Sequence, residues 1–209
     1  MKCLHRPDVF GWSEFNQDRN IDFHSVVWVR AEGNVVIDPL ALGDHDEAHL
    51  RELGGVAWIV VTNSDHVRDS GKLAERTGAQ LAGPSQEAAN FPVECARWLA
   101  DGDEVVPGMT ALALEGSKTP GELALLLEGT TLITGDLIRA HEGGALCLLP
   151  EEKLSDRRKA IASVRRLTLL PELGALLPGD GWPVFRDAKT LLKELLASLD
   201  PGPAVSSTD

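Results

Sequence analysis

The chain has 209 residues, of which 43% are hydrophobic and 25% charged, enough for one domain with its own core and short for two. Its formal net charge is −12; so acidic a surface repels nucleic-acid phosphates and anionic lipid, which sets both aside as expected partners. No run of about 18 apolar residues occurs, and the charged stretch 1–18 has no apolar segment of the signal-peptide kind, so the expected location is the cytoplasm.

In chain order, a β-branched and aromatic run over residues 23–30 is followed by a second over 34–38, with Glu32-Gly33-Asn34 as turn chemistry between them. This predicts a hairpin. Residues 44–53 read as a helix capped by Asp44 or Asp46. The continuous apolar run 57–62 reads as a strand buried on both faces. A helix over 69–77 ends at Gly78, and a short strand follows at 80–82. Strands are then expected at 104–106, 110–114, 124–127 and 131–134, the last two joined at Glu128-Gly129. A helix over 155–167, with Ser155 as N-cap and Arg158 on its exposed side, a strand at 175–177 and a helix over 187–199 complete the domain. The segment 200–209, DPGPAVSSTD, offers little to bury and is expected to be a disordered, dispensable tail.

Alternating helices and strands, with hairpins in both halves, favour two sheets packed face to face with helices outside. A doubly wound single sheet is the competing architecture. Neither GxGxxG nor GxxxxGK[ST] occurs, so no nucleotide-binding fingerprint is present. Cys3, Cys95 and Cys147 lie far apart and are odd in number, which argues against a disulfide framework and for idle or buried thiols.

Five segments carry the functional signal. They are Val35-Val-Ile-Asp38-Pro, Val61-Thr-Asn-Ser-Asp-His-Val-Arg68, Lys118-Thr-Pro-Gly-Glu122, Leu132-Ile-Thr-Gly-Asp136 and Leu177-Pro-Gly-Asp-Gly181, each at the end of an expected strand. In this order they resemble the signature set of the metallo-β-lactamase superfamily, over residues 23 to 186. The resemblance implies a four-layer αββα sandwich, one domain over 1–199, and hydrolysis of an ester, thioester, lactam or phosphoester by metal-bound hydroxide.

The family's metal-binding pattern is Thr-His-x-His-x-Asp-His, then His-Thr-Pro-Gly, Thr-Gly-Asp and Pro-Gly-His-Gly. Set against it without gaps, Thr62 keeps the strand-end threonine, while Asn63 and Asp65 stand for the first two histidines. Val67 stands for the aspartate and Arg68 for the third histidine. Lys118 replaces the histidine before Thr119-Pro120-Gly121, Asp136 keeps the bridging carboxylate, and Asp180 replaces the last histidine. The ungapped register is preferred because Thr62 and Gly71 both fall in place. In it no metal is expected. Lys118 and Arg68 would instead lie within ion-pair reach of Asp65, Asp136 or Asp180. In a shifted register Asp65-His66 is the family's Asp-His pair, and Asp65, His66, Asp136 and Asp180 hold at most one divalent ion, zinc, iron or manganese.

The candidate catalytic residues are therefore Asp65, Lys118, Asp136 and Asp180, and the candidate ligand-contacting residues Asn63, Arg68, Trp182 and His24. Each has a plainer reading. Asp136 caps the next segment, Asp180 between glycines is turn chemistry, Lys118 is a solvated loop lysine and His24 packs in the core. Asp38-Pro39 reads as a structural turn. His45 and His49 read as a solvated helix face, His5 and His141 have no sequence partner, and the tryptophans at 12, 28, 58, 98 and 182 read mostly as core. Three functions stay open: an atypical hydrolase, a non-catalytic binding or structural protein that has kept the fold and lost the metals, and a metal-free enzyme using Lys118. The expected partner is a small molecule, to a monomer or a homodimer.

Overall fold

A computed structural model describes residues 1–200. A seven-stranded sheet runs in sequence order: β1 (Lys2–Cys3), β2 (Val9–Asn16), β3 (Ile21–Trp28), β4 (Val35–Ile37), β5 (Trp58–Val60), β6 (Gln80–Pro84) and β7 (Arg97–Leu99). Helices α1 (Asp44–Glu52) and α2 (Ser70–Thr77) are the crossovers that make β4, β5 and β6 parallel neighbours. The second sheet contains β8 (Glu104–Val106), β9 (Met109–Leu114), β10 (Glu122–Leu127) and β11 (Thr131–Thr134). A small hairpin of β12 (Ile138–Arg139) and β13 (Cys147–Leu148) and helix α3 (Arg157–Leu167) follow. Then β14 (Ala175–Pro178) pairs parallel with β11, and α4 (Ala188–Leu199) closes the domain.

The strand alternation sorts side chains into layers. Val35 and Ile37 of β4 point between the sheets, where they meet Val60, Leu123, Leu125 and Leu177. Val36 points the other way and packs with Leu50 of α1 and Leu73 of α2. On the far side, Leu112, Ala124 and Leu132 pack against Val164 and Leu167 of α3 and Leu192 of α4. Each fully buried leucine contributes about 1.5–3 kcal/mol. The three cores define the four layers of an αββα sandwich, so the doubly wound alternative is excluded.

Several local expectations need correction. Residues 1–18, for which the sequence predicts no element, hold β1 and the whole of β2. Helix α1 is preceded by Gly43 with no side-chain cap; Asp46 pairs instead with the Met1 amino group. Asp156, not Ser155, caps α3, accepting from the Arg158 and Lys159 amides at 2.9 and 3.1 Å. Trp12 and Trp28 are buried, but Trp182 is 58% exposed. Of the expected tail, Asp200 is described, and its carboxylate lies 2.5 Å from Arg165; the remainder lies outside the described residues.

The sheets are joined at one set of strand ends. The Leu123 amide donates to Thr62 O at 2.9 Å and the His24 amide to Gly179 O at 2.8 Å, each from one sheet to the other, while the Gly179 amide continues the β14–β11 pairing within the second sheet, donating to Thr134 O at 2.7 Å. Parallel strands β4 and β5, and parallel strands β11 and β14, all deliver their C-terminal ends to this seam.

Candidate functional site

Asp38 follows β4 in the left-handed region at φ 47°. For a residue other than glycine that conformation costs about 1–3 kcal/mol. It aims a buried carboxylate across β5: Oδ1 accepts from the Thr62 amide at 2.8 Å and Oδ2 from the Thr62 hydroxyl at 2.6 Å. Oδ2 also lies 2.8 Å from His66 Nδ1. The expected structural turn is thus also the hub that orients His66.

Asn63 is fully buried and caps the short 3-10 turn Ser64–His66, its Oδ1 accepting from the Asp65 and His66 amides at 3.0 and 3.2 Å. Its Nδ2 donates to Asp136 Oδ2 at 3.2 Å. Asn63 does not line the cleft, so its expected role as a ligand contact is corrected: it holds Asp65, His66 and Asp136 in place. The turn sets His66 Nε2 at 3.5 Å from Asp136 Oδ2 and 3.9 Å from Asp180 Oδ1. His66 has no role in the ungapped register, yet it stands at the centre of the site. With Asp136 and Asp180 it forms the one group among the described residues whose ligand atoms, all within 4.8 Å of one another, could surround an ion.

Lys118 comes from the loop before β10. Its Nζ lies 2.7 Å from Asp65 Oδ2 and 3.0 Å from Asp136 Oδ2. On the other side Asp180 is paired with Arg139, and Arg68 Nη2 lies 3.6 Å from Asp180 Oδ1. Arg68 also has a left-handed backbone, φ 46°. Its Nη1 donates to the His24 and Asp38 carbonyls at 2.6 and 3.0 Å, so the guanidinium is fixed by backbone as well as by charge. Asp65, Asp136 and Asp180 therefore converge with Lys118, Arg68 and His66 on one cleft of about 440 Å³, which Asn16, Arg19, Phe23 and Leu40 complete.

Two glycines make this closeness possible. A Cβ on Gly135 would meet Thr62 Oγ1 at 2.7 Å and Asn63 Nδ2 at 2.8 Å, and one on Gly179 would meet His66 Cε1 at 2.6 Å. The Thr-Gly-Asp and Pro-Gly-Asp motifs need glycine because other side chains pack on the backbone there.

The protonation states follow from burial and charge. Burial works against a charged His66, but the Asp38 carboxylate and the bond to Asp136 outweigh it and hold the ring at about 9. Burial would raise Asp136, yet His66 and Lys118 keep it well below the usual carboxylate range. Lys118 is shifted upward, its desolvation outweighed by Asp65 and Asp136. Glu122 is different. Burial, with the Asp136 charge in support, pushes its carboxyl up to about 7, while Ser117 Oγ and the Leu137 amide, both at 2.6 Å, donate to it.

His24 and Trp182 do not line this cleft. They border a second cavity of about 560 Å³ with Leu4, Trp12, Leu177 and Phe185, on the other side of β3. Trp182 is carried away because the backbone after Asp180 turns over at Gly181, φ 98°, and its amide bonds to Ala140 O at 2.7 Å. Sequence reasoning missed Asp38, Glu122, Arg139, Arg19 and Phe23 as members of the site. Asp38 had a signal, an aspartate closing an apolar strand, and Glu122 follows the Thr-Pro-Gly motif directly. Arg139 and Arg19 had none.

Comparison with known proteins agrees with this fold. The family model described as metallo-beta-lactamase superfamily matches residues 1–199. No curated protein matches. Among solved structures, a metallo-beta-lactamase from Pontibacter korlensis is similar at a TM-score of 0.70 and 17% identity, covering 93% of this chain and 94% of that one. The metallo-beta-lactamase FIM-1 from Pseudomonas aeruginosa, in its mono-zinc form, aligns at 0.66 and 14% identity, over 91% and 90% of the two chains. TTHA1623, in a di-iron-bound form, aligns at 0.66 and 21% identity, over 88% and 98%. At these identities the likeness is one of fold. Among the described residues no helix is long and apolar enough to cross a membrane.

Proposed function

We propose that this chain, which belongs to the metallo-beta-lactamase superfamily, works as a small-molecule-binding protein whose cleft is held by ion pairs in place of a dinuclear metal centre. The carrying observation is the position of Lys118, with its ammonium 2.7 Å from Asp65 and 3.0 Å from Asp136. A cation fixed there repels a metal ion and takes up the carboxylates that would bind it. The charges also balance: Asp38, Asp65, Asp136 and Asp180 face Lys118, Arg68, Arg139 and charged His66. Ligands for two metals do not fit this donor set, because lysine and arginine carry protons where lone pairs are required.

A second reading keeps a hydrolase with one ion. It is favoured by the grouping of His66, Asp136 and Asp180 within 4.8 Å. Elemental analysis after dialysis against zinc separates the two. The expected result is less than one tightly held zinc per chain. One held ion favours the second reading, and two would sink the proposal. Lys118→His with Arg68→His should raise zinc affinity, since it removes two cations and adds two imidazoles. We further propose a cytoplasmic location and, on the support of the −12 charge, a small-molecule partner rather than nucleic acid or membrane, with size-exclusion chromatography to decide between monomer and homodimer.

A further inference from the structure

We infer that the cleft takes a hydroxycarboxylate: a short apolar chain with a carboxylate at the mouth and a neutral hydroxyl at the floor. This rests on the metal-free binding reading above and deepens it. Three observations define the two ends and the body of the ligand.

The floor offers an acceptor. Asp180 Oδ1 is buried, with its side chain only 3% exposed, and it receives no hydrogen bond from any described residue. Asp180 lines the cleft. Its other oxygen is taken by Arg139. A buried carboxylate oxygen left without a donor is costly, so a ligand that donates there is rewarded by more than an ordinary exposed hydrogen bond. The donor should be neutral. Arg68 Nη2 at 3.6 Å and His66 Nε2 at 3.9 Å already face the same oxygen, and an ammonium would be set beside two cations. A hydroxyl would not.

The mouth offers a cation. Arg19, in the turn between β2 and β3, is exposed and lines the cleft. Its guanidinium carbon lies 5.8 Å from the Phe23 ring centroid. No carboxylate among the described residues is within ion-pair distance of it, unlike Arg68, Arg139 and Lys118. In a chain of net charge −12, an arginine left without an acid at the rim of a cavity is a site for a ligand's own carboxylate, which it can bind in fork geometry. Between the two ends, Phe23 and Leu40 supply an apolar wall. The cleft volume of about 440 Å³ falls in the usual range for small-molecule sites, roughly 300–1,000 Å³.

The test is calorimetry on metal-free full-length protein with ω-hydroxycarboxylates of four, six and eight carbons. For the length that binds tightest, the matching plain carboxylate, diol and ω-aminocarboxylate are measured. The expected result is that the hydroxycarboxylate binds, and that removing either end group weakens it by roughly fivefold or more. In Arg19→Ala the hydroxycarboxylate should bind no better than the diol, because the carboxylate has lost its partner. The inference is overturned if none of the three lengths binds, if the plain carboxylate binds equally well, or if the aminocarboxylate binds tighter. It is also overturned if Arg19→Ala keeps the carboxylate preference. Zinc content measured on the same sample keeps the two claims apart: two tight ions sink the metal-free reading, whereas a metal-free protein that ignores these acids sinks only the ligand.

Discussion

The two sides of the cleft use the same chemistry in different surroundings. On one side Lys118 bridges Asp65 and Asp136, with the Asp65 side chain 53% exposed and that of Lys118 25% exposed. On the other, Arg139 and Arg68 hold Asp180, whose side chain is 3% exposed, and Asp38 holds a His66 ring that is 5% exposed. Solvent screens the Asp65 end of the first set, although Asp136 is 4% exposed, and barely reaches the second. The outer ion pairs should therefore tune the cleft, and the inner ones should hold the strand ends together, because removing one partner of a buried pair leaves the other charge stranded.

The largest test of this difference is Asp180→Asn. It leaves Arg139 and Arg68 without their carboxylate and should cost about 3–5 kcal/mol in urea unfolding. A loss under about 1 kcal/mol would put the inner side on a par with the outer one.

Next comes pH. His66 is raised from 6.5 to about 9 in the fold, so its contribution is fully present below pH 6.5 and is lost as the pH rises through about 9. Glu122 is raised from 4.5 to about 7. The folded state then binds the proton more tightly than the unfolded chain between those values, and stability falls as pH rises across that interval too. Unfolding free energy should decline from pH 5 to pH 9, by an amount on the order of 1–3 kcal/mol for the His66 part. Glu122→Gln should flatten the lower limb alone and His66→Gln the upper one. A flat profile in the unaltered protein would mean that neither group is linked to folding.

On the outer side, Lys118→Met keeps the alkyl chain and removes the charge facing Asp136. It should cost about 1–2 kcal/mol, less than Asp180→Asn in the same urea series. Asp65→Ala is expected to be the mildest, under about 1 kcal/mol, and to shrink further in 1 M salt. If Asp65→Ala destabilises as much as Asp180→Asn, exposure is not what separates the two sides.

The sandwich and the convergence of Lys118, Asp136 and Asp180 were legible because strand-end motifs are local in sequence and each fixes where a backbone turns. Arg68 and Asp65 were found by the same count of positions from Thr62. What was not legible depends on direction. His66 stands one position past Asp65 in a 3-10 turn, and a single turn of such a helix can swing a side chain from an outer wall to the centre. A motif register assigns positions but cannot supply that rotation. Asn63 was placed correctly in the chain and given the wrong task, because a cap and a ligand contact use the same amide. Trp182 follows Asp180 by two residues, and the positive φ of Gly181 carries it into a different cavity. The cap of α3 falls one residue after the expected Ser155, and that of α1 falls at Gly43, one residue before Asp44 and three before Asp46, with no side chain capping it.

The backbone seam has one more consequence. At the cleft the amides of His24 and Leu123 donate from one sheet to the other and that of Gly179 donates within the second sheet, so the floor cannot widen without breaking the two bonds that tie the layers of the sandwich. Local breathing leaves these three protons in place, and in deuterated water they should be released only when the whole domain unfolds. The amide of Arg19, bonded to Asn16 Oδ1 in an exposed turn, should be released far sooner. The floor of the cleft is thus its stiffest part, and the Arg19 turn at its rim the loosest.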